Sequence, residues 1–311
     1  MELRQHGGDE IMTQKSFKKF YKNIKDKLKG QNAGAFKTLS PVLIWMTLFF
    51  VVPIIMVIIV SFLTRGQYGG IDYKFTLDNY IKLFNPLYVE ILIKSLIIAL
   101  LTTLICLFLG YPFAYFIARS KKKYRHVLIL LIILPFWTNS LVRTYAWIIL
   151  LRTEGIINTY LIKFGIINTP IKLLYNNAAV MIGMVYMMFP FMVLPLYSSI
   201  EKLDSSLLEA ASDLGATPRK VFSKVILPLT KPGIMSGCLL VFVPTLGYFF
   251  IPDLLGGSKV VLLSNLIKNQ FLSARNWPFG SAISVVLIII MFIMIGLYLK
   301  LGGNKKDMEV L

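Results

Sequence analysis

The chain has 311 residues, of which 56% are hydrophobic and 15% are charged, and its mean hydropathy is +0.70. This composition excludes an ordinary soluble domain, in which about 25% of residues are charged, and predicts a protein that crosses a membrane several times. The net charge is +18, but no basic segment outside the apolar runs is interleaved with aromatic residues as a nucleic-acid groove requires, so nucleic acid is not an expected partner.

The few cysteines and histidines narrow the class of protein further. Cys106 and Cys238 both lie inside apolar runs, where a free cysteine is expected to act as a small packing residue, so no disulfide framework is predicted. His6 and His126 are the only histidines, and their positions give no metal-ligand spacing. We therefore expect no metal or other cofactor. The beginning of the chain lacks a short apolar segment with a small-residue cleavage site, so no removable signal peptide is expected.

Residues 1–38 form a basic segment in which apolar residues recur at helical spacing from Phe17 to Leu28. Two interpretations are open: a basic amphipathic helix that lies on anionic membrane lipid, and a solvated tail. We predict that residues 39–303 form the membrane domain and that residues 304–311 form a short tail.

Six apolar segments have about the length, roughly 20 residues, that a membrane span requires. They are residues 42–63, 91–118, 127–151, 180–200, 234–251 and 282–301. Prolines lie within or near several of these segments and are expected to bend the helices. The sequence therefore predicts an all-α, polytopic membrane protein with six transmembrane helices.

Lysine and arginine are distributed unevenly between the connections. With the N-terminus inside, the inner segments contain 22 of these residues and the outer connections contain nine. Such an excess marks the cytosolic side of a membrane protein. We therefore predict that both termini and the connection 201–232 are cytosolic.

The connection 201–232 has the pattern of two capped helices. Asp204 is a good N-cap for a first helix, Gly215 is placed where a helix ends at positive φ, and Thr217 is expected to cap a second helix with Pro218 at its first position. Both helices have apolar stripes. Such a hairpin either fits a groove on a partner protein or packs on its own spans and the membrane surface, and the local pattern leaves both open.

Part of this connection resembles the EAA loop of bacterial ABC importer permeases. The similarity consists of Glu-Ala-Ala at 209–211, Gly215, and Leu-Pro at 227–228, with Val225 as a conservative replacement for isoleucine. The resemblance implies a coupling helix that docks into a cleft of an ATPase subunit. The docking residues that it implies are Glu209, Ala210, Ala211, Leu214, Gly215 and Pro218.

Four further stretches resemble the permease subunits of spermidine/putrescine ABC importers, and the similarity covers most of residues 40–300. They are PFWTNSLVRTY (135–145), PLYSSIEKLD (195–204), DLLGG (253–257) and NWPFG (276–280). The resemblance implies a type I importer permease fold and polyamine transport across the bacterial inner membrane. The implied partners are a second related permease, two ABC ATPase subunits and an extracytoplasmic polyamine-binding protein.

A polyamine that crosses a membrane needs carboxylates for its ammonium groups and aromatic faces for its chain. Asp253, close in sequence to Tyr248 and Phe249, best meets this need, and an ordinary capping aspartate is the alternative. The other candidates are polar or aromatic residues in or near the third and fourth spans, where belt residues are the alternative: Trp137, Asn139, Tyr145, Glu154 and Tyr186. Arg143 is expected to point outward or to pair with Glu154 or Asp253.

The chain contains no G-x-x-x-x-G-K-[ST] phosphate loop. We therefore expect that it is not an enzyme and that a separate subunit hydrolyses ATP. Two alternatives are a permease for another solute and an ion-coupled secondary transporter. The second alternative would require repeated broken helices and titratable residues deep in the membrane, and the sequence contains no convincing repeat.

Overall fold

The computed structural model describes residues 39–302, which are mostly helical. The chain divides into two units, Met1–Ile59 and Val60–Leu311. The predicted basic segment 1–38 and almost all of the predicted C-terminal tail lie outside the described residues.

The helices are α1 (Leu39–Ser61), α2 (Asp78–Leu83), α3 (Pro86–Arg119), α4 (Lys122–Ile133), α5 (Ser140–Leu151), α6 (Ile156–Lys163), α7 (Asn177–Glu201), α8 (Ser205–Asp213), α9 (Pro218–Leu229), α10 (Lys231–Gly247), α11 (Leu263–Leu272) and α12 (Trp277–Gly302). Two short strands, β1 (Leu63–Arg65) and β2 (Ile71–Phe75), pair antiparallel. The sequence did not predict this hairpin, which Arg65 ties to the turn before α12 through a 2.7 Å hydrogen bond to the Ala274 carbonyl.

Four predicted spans are single long helices: α1, α3, α7 and α12. Among the described residues these are the four helices long and apolar enough to cross a membrane, and the number rises to six if each of two bent helix pairs is one span. The polytopic helical fold is thus confirmed. With 34 residues, α3 is about 51 Å long, so it exceeds the hydrocarbon core of about 30 Å.

The third predicted span contains a much sharper break than the expected proline bend. The chain leaves α4 through a 3-10 turn, Leu134–Trp137, and the segments Lys122–Trp137 and Ser140–Lys163 meet at 91°. Pro135 lacks the N–H that would continue the helix, and the Asn139 side chain accepts a hydrogen bond from the Leu141 amide at 2.8 Å, which starts α5 in a new direction.

The fifth span ends four residues earlier than predicted. α10 stops at Gly247, and Tyr248 is extended with φ −73° and ψ 116°. The chain then forms a π-helical turn, Pro252–Gly256, and the amphipathic helix α11, which the sequence interpretation had treated as part of a simple connection.

The core lies where α7 packs between α3 and α10. Met184, Met188 and Met192 on α7 are fully buried and fill this core. Gly233 and Gly237 on α10 permit close approach to α7, because a Cβ atom would lie 2.4 Å from Ser199 Cβ and 2.7 Å from Met192 Sδ respectively.

Candidate functional site

The first half of the predicted hairpin forms as expected. Asp204 caps α8, since its side chain accepts a hydrogen bond from the Ser206 amide at 3.0 Å. The same amide holds the pKa of the Asp204 carboxyl below its usual value. Gly215 turns the corner with φ +78°, in the left-handed region that favours glycine.

The second half differs from the prediction in two respects. The Thr217 side chain makes no capping hydrogen bond, although its carbonyl accepts the Val221 amide at 2.9 Å. Pro218 already removes one of the amide donors that a cap would satisfy. The helix α9 is also interrupted by a π-helical turn, Phe222–Ile226.

Burial separates the hairpin into an anchored side and a presented side. Val221 and Ile226 on α9 are 8% and 4% exposed, whereas Leu214 at the end of α8 is 90% exposed and Leu207 is 48% exposed. The second helix therefore packs on the protein, while the first helix presents apolar side chains outward. Of the six residues assigned to docking by resemblance, only Ala211 is half-buried, and the other five are exposed: Glu209, Ala210, Leu214, Gly215 and Pro218.

The hairpin is tied to the membrane helices at Thr230, between α9 and α10. Thr230 Oγ1 lies 2.9 Å from the hydroxyl of Tyr111, which is buried inside α3. The Tyr111 ring also meets the ring of Phe222 edge-on, with centroids 5.6 Å apart. The hairpin and α3 are therefore in direct contact at this point.

A second contact joins the segment after α3 to the end of α7. Arg125 Nη1 lies 3.0 Å from Glu201 Oε1, and the Arg125 Nε donates to the Ser120 carbonyl at 3.0 Å. This contact connects the basic segment after α3 with the end of α7, immediately before the hairpin. Sequence reasoning missed it because the partners are 76 positions apart.

The Asp253 cluster is assembled, and it already contains a cation. The Asp253 carboxylate binds Lys268 Nζ and Asn265 Nδ2, both from α11. Lys268 Nζ also lies 5.8 Å from the centroid of the Phe249 ring. The ring centroids of Tyr248 and Phe250 are 5.1 Å apart. The i, i+3 spacing of Asn265 and Lys268 on one helical face is the sequence signal that could have suggested this site.

The candidates of the third span are not gathered with Asp253 into one contact network. Asn139 is used to start α5, Trp137 is 75% exposed, and Tyr145 is 54% exposed. Glu154 is exposed and makes no hydrogen bond or ion pair with any residue of 39–302. The exposed side chains of Trp137, Tyr145 and Glu154 are available to a partner or a ligand, whereas the Asn139 side chain is held by its own chain.

The expected pairing of Arg143 with a carboxylate is wrong. Its guanidinium carbon lies 4.5 Å from the Phe136 ring centroid and 5.9 Å from that of Tyr186. Two of its nitrogens, Nε and Nη1, are buried and have no hydrogen-bond partner within 39–302. Asp253 is paired instead with Lys268 of α11.

An exposed two-helix hairpin, joined by a buried hydrogen bond to a bundle of long apolar helices, is typical of a multi-pass membrane protein with a polar insert. The family model described as binding-protein-dependent transport system inner membrane component matches residues 110–302. The chain belongs to this family of transport permeases and is a multi-pass membrane protein.

Individual relatives of the chain have more specific descriptions than the family model. The chain is 51% identical over 268 residues to the spermidine/putrescine transport system permease protein PotB of Salmonella typhimurium strain SL1344. This alignment covers 86% of this chain and 93% of the relative. The chain is 52% identical to PotB of Escherichia coli strain K12, over 84% of this chain and 96% of the relative. The PotB protein of Haemophilus influenzae is 49% identical, over 88% of this chain and 96% of the relative.

A solved structure supports the fold. A bacterial ABC transporter involved in the import of the acidic polysaccharide alginate contains a chain that superposes with a TM-score of 0.70 at 18% identity, over 92% of this chain and all of that chain. At this identity the likeness establishes the permease fold and does not extend to the substrate.

Proposed function

We propose that this chain is the membrane-spanning permease subunit of an ATP-driven polyamine importer. Its membrane domain is residues 39–303, both termini are cytosolic, and a second related permease completes the translocation path. The observation that carries the substrate class is the identity of about one half, over more than four fifths of the chain, to the PotB permeases.

The energy source in this proposal is a pair of separate ATPase subunits, and the chain itself is not an enzyme. The hairpin α8–α9 is the element that docks to an ATPase. Its exposed Leu214, turned out at the Gly215 corner, supports docking of a helix into a groove. The link from Thr230 to Tyr111 supports transmission of ATP-driven motion to the spans.

Delivery of substrate is assigned to an extracytoplasmic polyamine-binding protein on the opposite side of the membrane. A relative in fold, the alginate transporter, has been solved in complex with a periplasmic protein bound to an alginate pentasaccharide. For this chain, the family description itself names a binding-protein-dependent system.

On the substrate side, Asp253 is the candidate that the geometry favours. Its carboxylate holds the ammonium group of Lys268 beside the face of Phe249. A lysine side chain ends in a butylammonium group, which is the chemical unit that forms each end of putrescine. The cluster is therefore suited to an alkylammonium ion, which a polyamine supplies when it replaces Lys268. Tyr248, Trp137, Asn139, Tyr145, Tyr186 and Glu154 remain secondary candidates for the path.

The docking proposal is tested by co-purification of the ATPase with the permeases. The double substitution Glu209→Lys with Gly215→Val is expected to abolish co-purification and uptake together. Glu154→Lys, which makes the same charge reversal outside the hairpin, is the matched control and should leave co-purification unchanged. Undiminished binding of the ATPase to the hairpin variant would contradict the docking proposal.

The substrate proposal is tested by ATP-dependent uptake of radiolabelled spermidine into proteoliposomes that contain the whole complex. Excess putrescine should compete with spermidine, whereas a sugar, an inorganic anion or a dipeptide should not. Competition by one of those solutes alone would assign another cargo. Uptake by this chain without ATPase, driven by an ion gradient, would instead identify a secondary transporter.

A further inference from the structure

A groove of about 620 Å³ opens at the end of α3 and is independent of the Asp253 cluster. Its apolar floor contains Pro112, Tyr115 and Phe116, and Phe222 of the hairpin α8–α9 forms another part of its lining. Arg119 and Lys121 stand at the same end, where α3 stops and the basic connection begins. The groove therefore combines an aromatic floor with a positively charged rim.

The charge of this rim is not compensated by the protein. The described residues that line the groove include no carboxylate, and Arg119 forms no ion pair within 39–302, although its guanidinium carbon lies 5.7 Å from the Tyr115 ring centroid. Arg125, in the same basic connection, is instead neutralised by Glu201 at 3.0 Å. Arg119 and Lys121 therefore leave the mouth of the groove positively charged and able to bind an anion from outside the chain.

The apolar surface next to the groove indicates what kind of anion fits. Phe108 and Phe116 are 79% and 63% exposed, and Pro112 lies between them at the same four-residue spacing. Residues at this spacing share one face of a helix, so an apolar track runs from the charged rim along the membrane-spanning part of α3. A free phosphate would use only the rim, whereas a phospholipid would use the rim for its headgroup and the track for an acyl chain.

We infer that this groove is a binding site for one anionic phospholipid, with the headgroup phosphate between Arg119 and Lys121 and an acyl chain along Phe116 and Phe108. The lipid contacts α3 and the hairpin α8–α9 together, because Phe222 lines the groove and packs edge-on against Tyr111. Lipid binding therefore stabilises the arrangement of hairpin and span in which the groove exists. The transporter's ATPase cycle is expected to depend on the anionic lipid content of the membrane.

The test uses the whole complex in nanodiscs of phosphatidylcholine with increasing fractions of phosphatidylglycerol. Native mass spectrometry counts the phosphatidylglycerol molecules that stay bound, and ATPase activity is measured on the same samples. The groove variant is Arg119→Gln with Lys121→Gln. The matched control is Lys122→Gln with Lys123→Gln, which removes two charges from the same connection outside the groove lining. The groove variant loses the two direct charge-assisted contacts to the headgroup phosphate, so it should reduce retention at least about fivefold. The control keeps these contacts and should stay within about twofold of the wild type.

Equal losses in the two variants would mean that only the general surface charge matters, and would overturn the site. Displacement of the lipid by excess inorganic phosphate would overturn the role of the apolar track. If the groove variant fails to assemble, photo-crosslinking from a photo-reactive amino acid in place of Phe116 tests the site instead. A phospholipid adduct is expected, and an adduct with the ATPase or the second permease instead would assign the groove to a protein interface.

Discussion

The hydroxyl of Tyr111 and Oγ1 of Thr230 lie 2.9 Å apart, although 119 positions separate them in the chain. Both residues are buried, and Thr230 also donates to the Ile226 carbonyl at 2.9 Å. This contact places the membrane helix α3, the hairpin α8–α9 and the start of α10 in one hydrogen-bonded unit. The proposed transmission of motion from the hairpin to the spans depends on this point.

Replacement of Thr230 by valine should weaken this unit without changing its shape. The loss of the hydrogen bond is expected to reduce stability by about 1 kcal/mol, and the buried Tyr111 hydroxyl left without a partner can add to this loss. The midpoint of thermal unfolding of the purified complex is the measurement. The double variant Tyr111→Phe with Thr230→Val should be no worse than Thr230→Val alone. Tyr115→Phe, one helical turn along, is the control, and additive losses in the double variant would contradict the coupling.

The close packing of α10 on α7 predicts opposite outcomes at two glycines of the same helix. A Cβ at Gly233 would lie 2.4 Å from Ser199 Cβ and 2.8 Å from the Pro195 carbonyl oxygen, and the latter is backbone that cannot move away. Gly233→Ala should therefore destabilise the protein by about 1–3 kcal/mol and reduce the yield of assembled complex. Gly247→Ala meets no atom within 4 Å and should leave the yield unchanged. Equal yields would contradict the packing.

At the corner of the hairpin, backbone conformation and not space is limiting. Gly215 has φ +78°, yet a Cβ there meets nothing within 4 Å. Asparagine tolerates this region best among the other residues, alanine is expected to cost about 1 kcal/mol, and β-branched valine should cost more. ATPase co-purification should therefore fall in the order Gly, Asn, Ala, Val. An order set by side-chain volume alone, with alanine better than asparagine, would refute a conformational cause.

The cap of α8 should depend on pH only under acidic conditions. The Ser206 amide lowers the pKa of the Asp204 carboxyl, so the cap is fully present above the ordinary aspartate pKa of about 4 and is lost as pH falls through the lowered value. Hydrogen exchange of the Ser206 amide, corrected for its intrinsic rate, should be constant near neutrality and accelerate only in that acidic window. Asp204→Ala should exchange fast at every pH, and Asp213→Ala should behave like the wild type. Fast exchange in the wild type at neutral pH would contradict the cap.

The ion pair between Asp253 and Lys268 predicts opposite changes in the proposed transport. Lys268→Met frees the carboxylate and should lower the KM for spermidine about fivefold, whereas Asp253→Asn should raise it by a similar factor, since one charge contact of this kind corresponds to roughly 1 kcal/mol. Asp78→Asn, at the start of α2, is the control for loss of an acid outside the proposed path. If both variants lose assembly equally and KM stays constant, the pair is purely structural and Asp253 is removed from the path.

Much of the architecture was available from local patterns. Four of the six apolar segments became single helices near their predicted ends, because a run of about 20 apolar residues has few other stable forms in a membrane. The cap at Asp204 and the corner at Gly215 were also predicted, since each depends on a few consecutive residues. The kink after Pro135 was foreseen only as a bend, and its 91° angle depends on the 3-10 turn and the new cap at Asn139.

The sequence by itself determined that this chain is a helical membrane protein with a capped two-helix insert, because periodicity, caps and apolar length act within single segments. Only the tertiary structure decided that Asp253 binds Lys268 and not Arg143, that Tyr111 holds Thr230, and that a basic groove opens beside Phe222. These contacts join different helices, often far apart in the chain, and no local pattern specifies which helix faces reach one another. The partner of each polar group is fixed only when the packed helices bring donor and acceptor within hydrogen-bond distance.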